Sequence, residues 1–530
     1  MLNYLFALKR KKNLELKKVA YIQLYKQNKF KKIRSLRQKL ESIKFPIASD
    51  TELYDFELAT RQYYLNLFGF LRMESEILLS LGSGKSIKFF PIHTKHVKVF
   101  KEEGIEVSVF WTKVSFWAVN FFMWFRAAFR LIVFIIKPDK IIFKNNYDQP
   151  FIYFDKLSKN NLPASSPNNK SYDVITWYLD SFKPIEKKIF HNVKGVNKLN
   201  YKKYSIEYTD GPIPIPKNIF LYSLSSLFLL FKLFFELLAG RWWKGLMAHE
   251  LLEEHRFNFC INHNEKFQKK YLFYNSMTFY RPIWTYLAEV KGSQIVSYFY
   301  STSDTLMPPS GKEKNSEYVA LMNWPEMLFW DYHQKKLFKK SLNFKIKSKT
   351  VGPIPFSTIS KGINKTKKIK ISIFDSPPYK VGTHFGFSTS NEMGLNEPDI
   401  HIKFLKDILD SFNSFEVYYY YKPKRNRPSN FESDSYFSYI EQLKKLENFC
   451  VLDGDISAFY LIEESNIVIS FPFTSTGVVG NFKNKFSIYY DPSKKVSQLD
   501  EAKRDIELLS SKKDLKTWAA NTVNKINGQS

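Results

Sequence analysis

From about residue 270 to residue 490 the chain alternates short apolar runs with longer amphipathic ones, and this alternation constrains the fold more than any other feature. Lys270–Asn275 (KYLFYN), Gln294–Thr302, Met327–Trp330, Ile369–Phe374, Phe415–Tyr421, Cys450–Leu452, Asn466–Ser470 and Ser487–Tyr490 read as strands. Between them lie helical stretches. One is opened by Pro282 in its first turn; then come Tyr332–Lys340, His401–Phe412, Ser435–Leu446, Ser457–Glu464 capped by Asp455, and one near Gly477. Strands and helices alternating at this spacing build parallel sheets with helices on both faces. The prolines of Val351–Pro355 (VGPIP) and the basic stretch Lys361–Lys370 interrupt the pattern, which predicts two such α/β domains. Their ligand site then falls in the cleft between them, at the carboxyl ends of the strands.

A chain of 530 residues that is 44% hydrophobic and 17% aromatic has enough apolar surface for several cores, so disorder is excluded as its main state. The formal net charge of +29 calls for an acidic partner: nucleic acid, an anionic membrane surface or a phosphate-bearing substrate. Lys, Asn, Ile, Phe and Tyr are all abundant, so part of that charge reflects a bias in composition. Nucleic-acid binding interleaves aromatics with exposed basic residues. Here the aromatics fall in the strands and in two apolar segments, and nucleic acid is not expected as a partner. Cys260 and Cys450 are far apart and fit no metal spacing, which suggests a reducing compartment and two buried thiols.

The first 45 residues carry fourteen Lys/Arg against two Glu, with Leu16, Val19, Leu24 and Ile33 interleaved. They read as a helical arm, either solvated or lying on anionic headgroups. Val107–Ile136 and Ile219–Leu238 are apolar enough to be mistaken for membrane spans. Lys113, Arg126 and Arg130 in the first cost roughly 2.5–3.5 kcal/mol each at mid-bilayer. In the second, Ser225, Lys232 and Glu236 share one helical face. Both suit helices lying in the interface plane, with Trp242 and Trp243 at the membrane boundary. The expected organisation is a basic helical, membrane-associating region over 1–140 and a first α/β domain over 141–356 with an inserted amphipathic helix at 219–247. A second α/β domain follows over 357–500, then a helix and tail over 501–530.

Three groups of residues suit chemistry. Ser470–Thr476 (SFPFTST) lies between a strand and a helix, where hydroxyls, backbone N–H groups and the helix dipole favour a phosphate. Thr474, Ser475 and Thr476 are its candidate ligands. Tyr421–Arg427 (YKPKRNR) leaves another strand with Lys422, Lys424 and Arg425, suited to a nucleotide's phosphates. Asp375 ends a strand on the same edge. Acids also follow strands or turns in the first half: Asp210 in Tyr208–Pro212, Asp304 and Asp331. Any of these could take a proton from an acceptor hydroxyl or act as nucleophile. His333 and His384 are lesser candidates, and Arg281 could orient donor or acceptor. Each acid also fits a helix cap or turn, and each basic run a solvated face. The sequence contains no P-loop, no GxGxxG, no HExxH and no zinc-like Cys/His spacing.

Residues 271–303, 322–356 and 451–492 together resemble the bacterial polysaccharide-biosynthesis proteins named for a PFTS motif, here Pro472–Ser475. The likeness covers roughly residues 170–500. It implies a GT-B glycosyltransferase, with two Rossmann-like domains facing a cleft and no metal or other cofactor beyond a nucleotide-sugar donor. A looser similarity links the chain to transferases using CMP-activated sialic acid or Kdo. Lys422–Pro423 stands where those have His-Pro, Thr474–Thr476 matches their Ser/Thr motif, and Asp210–Gly211 matches part of an acidic pair, with Thr209 replacing the first acid. Taken with the two amphipathic aromatic segments, the resemblance leads to the expectation of a lipid-linked glycan acceptor at the cytoplasmic face of the inner membrane, the protein being peripheral. A non-catalytic scaffold or basic membrane-binding protein of an assembly complex is the alternative.

Overall fold

A parallel strand buried on both faces is apolar along its whole length rather than alternating. Glu326–Phe329 and Ile467–Ser470 are buried at every position. The computed structural model describes residues 42–48, 51–68, 86–136, 151–163, 173–263, 267–274, 280–299, 301–302, 319–354, 366–376, 397–424, 433–454, 456–496 and 503–528, with scattered positions between these ranges. Asp304, His384, Arg425 and Asp455 lie outside them.

Two sheets form the framework. The first contains β1 (Phe151–Asp155), β2 (Lys188–His191), β3 (Lys198–Tyr201), β4 (Tyr204–Tyr208), β5 (Lys270–Tyr274), β6 (Gln294–Tyr298), β7 (Glu326–Phe329) and β8 (Lys347–Thr350), in the order β3-β4-β2-β1-β5-β6-β7-β8. All its pairs are parallel except the hairpin β3–β4. The second contains β9 (Ile369–Phe374), β10 (Val417–Lys422), β11 (Phe449–Val451), β12 (Ile467–Ser470), β13 (Phe486–Tyr490) and β14 (Glu507–Leu509), in the order β11-β10-β9-β12-β13-β14, all parallel. This is the α/β fold with two parallel sheets that the alternation predicts. The segment 501–530, expected to be helix and tail, also supplies β14. The hairpin β3–β4 and the strands β1, β2 and β8 were not expected.

The helices are α1 (Phe56–Phe68), α2 (Thr94–Glu102), α3 (Val109–Ile136), α4 (Val174–Phe182), α5 (Ile219–Leu238), α6 (Trp242–Leu246) and α7 (Ala248–Asn262) in the first half. Then come α8 (Trp284–Val290), α9 (Tyr332–Ser341), α10 (Pro398–Phe412), α11 (Asp434–Leu443), α12 (Ala458–Glu464), α13 (Ser475–Phe482) and α14 (Lys512–Asn527). Ser457, not Asp455, caps α12, its side chain accepting from the Tyr460 N–H. One apolar core runs through both sheets, while α1, α2, α3 and α6 pack around a second core.

The long helices α3 and α5 lie against each other and against α7, the Trp124 indole donating to the Leu230 carbonyl at 3.0 Å. Only 22% and 28% of their most apolar windows are buried, and both are long and apolar enough to cross a membrane. Their outward sides carry Phe125, Phe129 and Ile136 on α3 and Phe220, Phe228 and Phe235 on α5, all more than half exposed. Trp242, expected at a membrane boundary, is instead buried among Phe45, Tyr64, His93 and Phe116, because α6 turns the chain back beneath α3. Lys244 likewise turns inward, 3.5 Å from Glu236 and over the Phe56 ring. Cys260 is a buried thiol that donates to the Pro214 carbonyl, whereas Cys450 is only half-buried.

Candidate active site

In an open parallel sheet, the crevice for a ligand opens where consecutive connections leave a strand toward opposite sides. In the second sheet the chain runs from β9 to β10 and β11 on one side, then returns to β12, β13 and β14 on the other. The switch point therefore lies between the carboxyl ends of β9 and β12. Asp375 follows β9 and the PFTS turn follows β12.

The turn is built tightly. Phe473 has φ of 64°, a left-handed conformation that costs a non-glycine residue roughly 1–2 kcal/mol. The Thr474 hydroxyl donates to the Phe471 carbonyl at 2.8 Å, and the Tyr489 hydroxyl donates to the Thr474 carbonyl at 2.9 Å. The Thr476 hydroxyl lies 3.0 Å from the Ser470 hydroxyl and donates to that of Thr474 at 3.2 Å. Gly477 lets α13 sit on the sheet, since a Cβ there would meet the Tyr489 ring at 2.5 Å. The first N–H groups of a helix have no intrahelical partner. Thr474, at the N-cap, makes no side-chain capping bond to them, so they remain available to an anion.

Ser475 faces the first sheet. Its hydroxyl accepts from the Thr302 N–H at 3.2 Å and lies 3.1 Å from the Thr302 hydroxyl, just beyond β6. The carboxyl edges of the two sheets thus meet at the motif. Around it, several expected ligands hold the frame. Asp375 is buried, taking hydrogen bonds from the Tyr421 hydroxyl at 2.8 Å and from Tyr436, with His401 at 3.6 Å. Burial, reinforced by this carboxylate, pushes the Tyr436 hydroxyl well above its ordinary range and keeps it a donor. The Lys422 ammonium donates to the Gly454 carbonyl at 2.9 Å and the Pro423 carbonyl at 3.3 Å. Lys424 stands at the end of β10 on the same edge. Gly454 is the centre of Asp453–Gly454–Asp455, a DxD pair just after β11, whereas no such pair after a strand was expected. Asp453 is exposed there.

The first-half acids are dispersed. Asp210, exposed, accepts from the Tyr208 hydroxyl after β4, two strand spacings or roughly 10 Å from β1. Asp331 caps α9 through the Gln334 N–H at 2.7 Å and pairs with Arg504 at 2.5 Å. His333 lies 3.7 Å from Asp505. Arg281 is buried, its guanidinium 3.8 Å from the Tyr286 ring centroid, ion-paired with Glu289 and bonded to Thr285 at 3.1 Å. The residue that does stand at the first sheet's own switch point, between β1 and β5, is Asp155, which sequence reasoning missed. The available signal was a repeat: Phe151–Asp155 (FIYFD) matches Ile371–Asp375 (ISIFD), each ending the first strand of its sheet.

Two parallel sheets meeting at a Ser/Thr-opened helix define an α/β protein built on two Rossmann-like sheets. More particularly, the chain belongs to the family of polysaccharide biosynthesis PFTS motif proteins, whose model matches residues 222–519. Among curated proteins, none matches the sequence. Among solved structures it is similar to the wall teichoic acid polymerase TagF, at 10% identity and a TM-score of 0.36, over 76% of this chain and 92% of that one. It is also similar to the α,α-trehalose 6-phosphate synthase of Burkholderia multivorans, at 8% identity and a TM-score of 0.38, over 71% and 88%.

Proposed function

We propose that this protein is a GT-B-type glycosyltransferase of polysaccharide synthesis that moves a sugar from a nucleotide-activated donor to a lipid-linked glycan. The observation that carries this reading is the uncapped start of α13 at the switch point of the second sheet, facing Thr302 of the first. The donor's phosphate sits on that helix start, with the Ser475 and Thr476 hydroxyls and the Lys424 side of β10 around it. A CMP-linked Kdo or sialic-type sugar is the donor favoured by the Thr474–Thr476 motif. The basic, apolar pair α3 and α5 rests on the anionic cytoplasmic face of the inner membrane and brings the site to its acceptor.

Thermal melting with CMP-, UDP-, GDP- and dTDP-sugars tests this, because a ligand of the native state raises Tm by mass action. One nucleotide class is expected to raise it. Replacing Ser475 and Thr476 together by Ala removes hydrogen bonds of about 1.5–3 kcal/mol each to a charged group. Affinity for that nucleotide should then fall at least tenfold. A wild-type protein that binds no nucleotide overturns the transferase reading in favour of a scaffold.

A further inference from the structure

A further place of chemical interest lies away from the PFTS turn, at the switch point of the first sheet. A cavity of about 220 Å³ opens there, lined by Asp155, Lys156, Glu250, Tyr63, Tyr280 and Trp324 among others. Four elements converge on it: β1 and β5 from the sheet, α1 carrying Tyr63, and α7 carrying Glu250. Its walls combine aromatic rings with polar and charged side chains in about equal measure, a make-up suited to a hydroxyl-rich ligand. Tyr63 and Tyr280 meet edge to face at 4.9 Å.

Asp155 is 8% exposed. Its Oδ1 receives the Asn192 amide at 3.2 Å and the Tyr153 hydroxyl at 3.4 Å, and the Lys156 ammonium lies 3.9 Å from Oδ2. Lys156 has φ of 57°, so the strand ends abruptly in a left-handed turn that leaves Asp155 at the sheet edge. Strained backbone of this kind persists where the surrounding structure holds it, often at functional sites. Across the cavity, Glu250 accepts from the Tyr280 hydroxyl at 2.8 Å. Burial raises the Asp155 carboxyl above its ordinary range and the Glu250 carboxyl to about 7.

The cavity and the PFTS helix share one edge. Ser297 of β6 lines the cavity, and Thr302, five residues on, bonds Ser475. Five residues of chain span at most roughly 17 Å. On its other side the cavity adjoins the apolar helix pair, since Arg130 of α3 bonds His249, next to Glu250.

Resting on the transferase reading above, we propose that this cavity receives the hydroxyl-bearing sugar of the acceptor and that Asp155 is the catalytic residue that takes its proton. The acceptor O–H bond breaks toward the Asp155 carboxylate, and the oxygen's electron pair forms the new bond to the anomeric carbon. The bond from that carbon to the donor phosphate oxygen breaks, its electrons leaving with the nucleotide. Glu250, fixed by Tyr280, holds a neighbouring hydroxyl. The aromatic walls stack on the sugar ring and exclude water.

The test uses the full chain with the nucleotide sugar that most raises its Tm, octyl glycosides as acceptors, and water as the default acceptor in donor hydrolysis. A positioned base contributes 10²–10⁴-fold. Asp155→Asn should therefore bind the nucleotide as wild type does, yet lose transfer and hydrolysis at least 100-fold. Glu250→Gln should raise the KM for octyl glycoside about tenfold with nucleotide affinity unchanged. Circular dichroism confirms that each variant is folded; Asp155→Glu, which keeps a carboxylate, replaces Asp155→Asn should the latter not fold, and should recover part of the rate. Full transfer by Asp155→Asn overturns the proposal, as does loss of nucleotide binding in that variant. So does a wild type that binds nucleotide but neither transfers nor hydrolyses. A wild type that binds no nucleotide sinks the transferase reading itself, a distinct result.

Discussion

Carboxylates in this molecule are sorted by their surroundings. Glu254 on α7 accepts from the Tyr54 hydroxyl at 3.0 Å, faces Lys244 and is removed from water, and burial raises its carboxyl to about 7. The unfolded chain releases that proton near its ordinary value of 4.5. Between these two values the native state binds more protons than the unfolded state, so stability falls as pH rises. The contribution is complete below about 4.5 and is lost as pH passes through about 7. At about 1.4 kcal/mol per unit, this amounts to about 3 kcal/mol at most. Glu254→Gln keeps an acceptor for Tyr54 and cannot ionise. Urea unfolding at pH 5 and pH 8 should show wild type losing stability relative to this variant at the higher pH. A pH-independent difference between the two would refute the assignment.

At the scale of elements, α3 and α5 depart from the usual pattern of a helix on a soluble protein, being apolar on their outward sides as well as their buried ones. The buried side of α5 includes Ser223 and Ser226, while Phe220, Phe228, Phe231 and Phe235 point outward. On the proposed membrane reading, a bilayer interface would take the rings into the acyl boundary and leave Lys113 and Lys232 among the headgroups. Membrane-bound protein should be released by high salt with mild detergent rather than by salt alone. Phe228→Glu with Phe231→Glu should weaken sedimentation with anionic phosphatidylglycerol vesicles at least 100-fold, since each buried Phe contributes about 1.5–3 kcal/mol. Unchanged sedimentation would reject the in-plane arrangement. The apolar character of both helices was legible in the sequence, and so were the parallel strands from β5 to β13 except the exposed edge strand β8. The remainder was hidden for physical reasons. β3 and β4 form an edge hairpin whose residues alternate between intermediate and exposed or buried positions, too short and polar to stand out. Trp242 was assigned to a membrane boundary because local sequence carries no sign that α6 folds back under α3. Lys422 and Asp375 were recognised as residues at strand ends, but only the tertiary structure shows them tied to Gly454, Tyr421 and Tyr436. Asp155 escaped notice because an apolar run ending in one acid is an ordinary strand until strand order places it at a switch point.

The two sheets share one apolar core, with Trp330 packed beside Phe459, and polar pairs also tie them at the joint: Ser475 with Thr302, Asp331 with Arg504, and His333 with Asp505. This joint decides between two roles for Asp331, expected from sequence to be a candidate catalytic acid. In the structure its Oδ1 caps α9 while its Oδ2 takes the Arg504 Nε–H at 2.5 Å, the arginine side chain being 4% exposed. Asn is as good a cap as Asp, so Asp331→Asn should leave α9 intact and remove only the charge that Arg504 needs. Hydrogen bonds between charged groups contribute about 1.5–3 kcal/mol. Asp331→Asn and Arg504→Ala should each lower stability by about that amount, and the double variant by little more than either, because both remove one interaction. A double-mutant cycle from urea unfolding reads the coupling directly. Sugar transfer under saturating donor should persist in Asp331→Asn, since the carboxylate lies three strands from β1. Loss of transfer with stability unchanged would return Asp331 to the chemistry and leave the joint between the sheets without its main ionic tie.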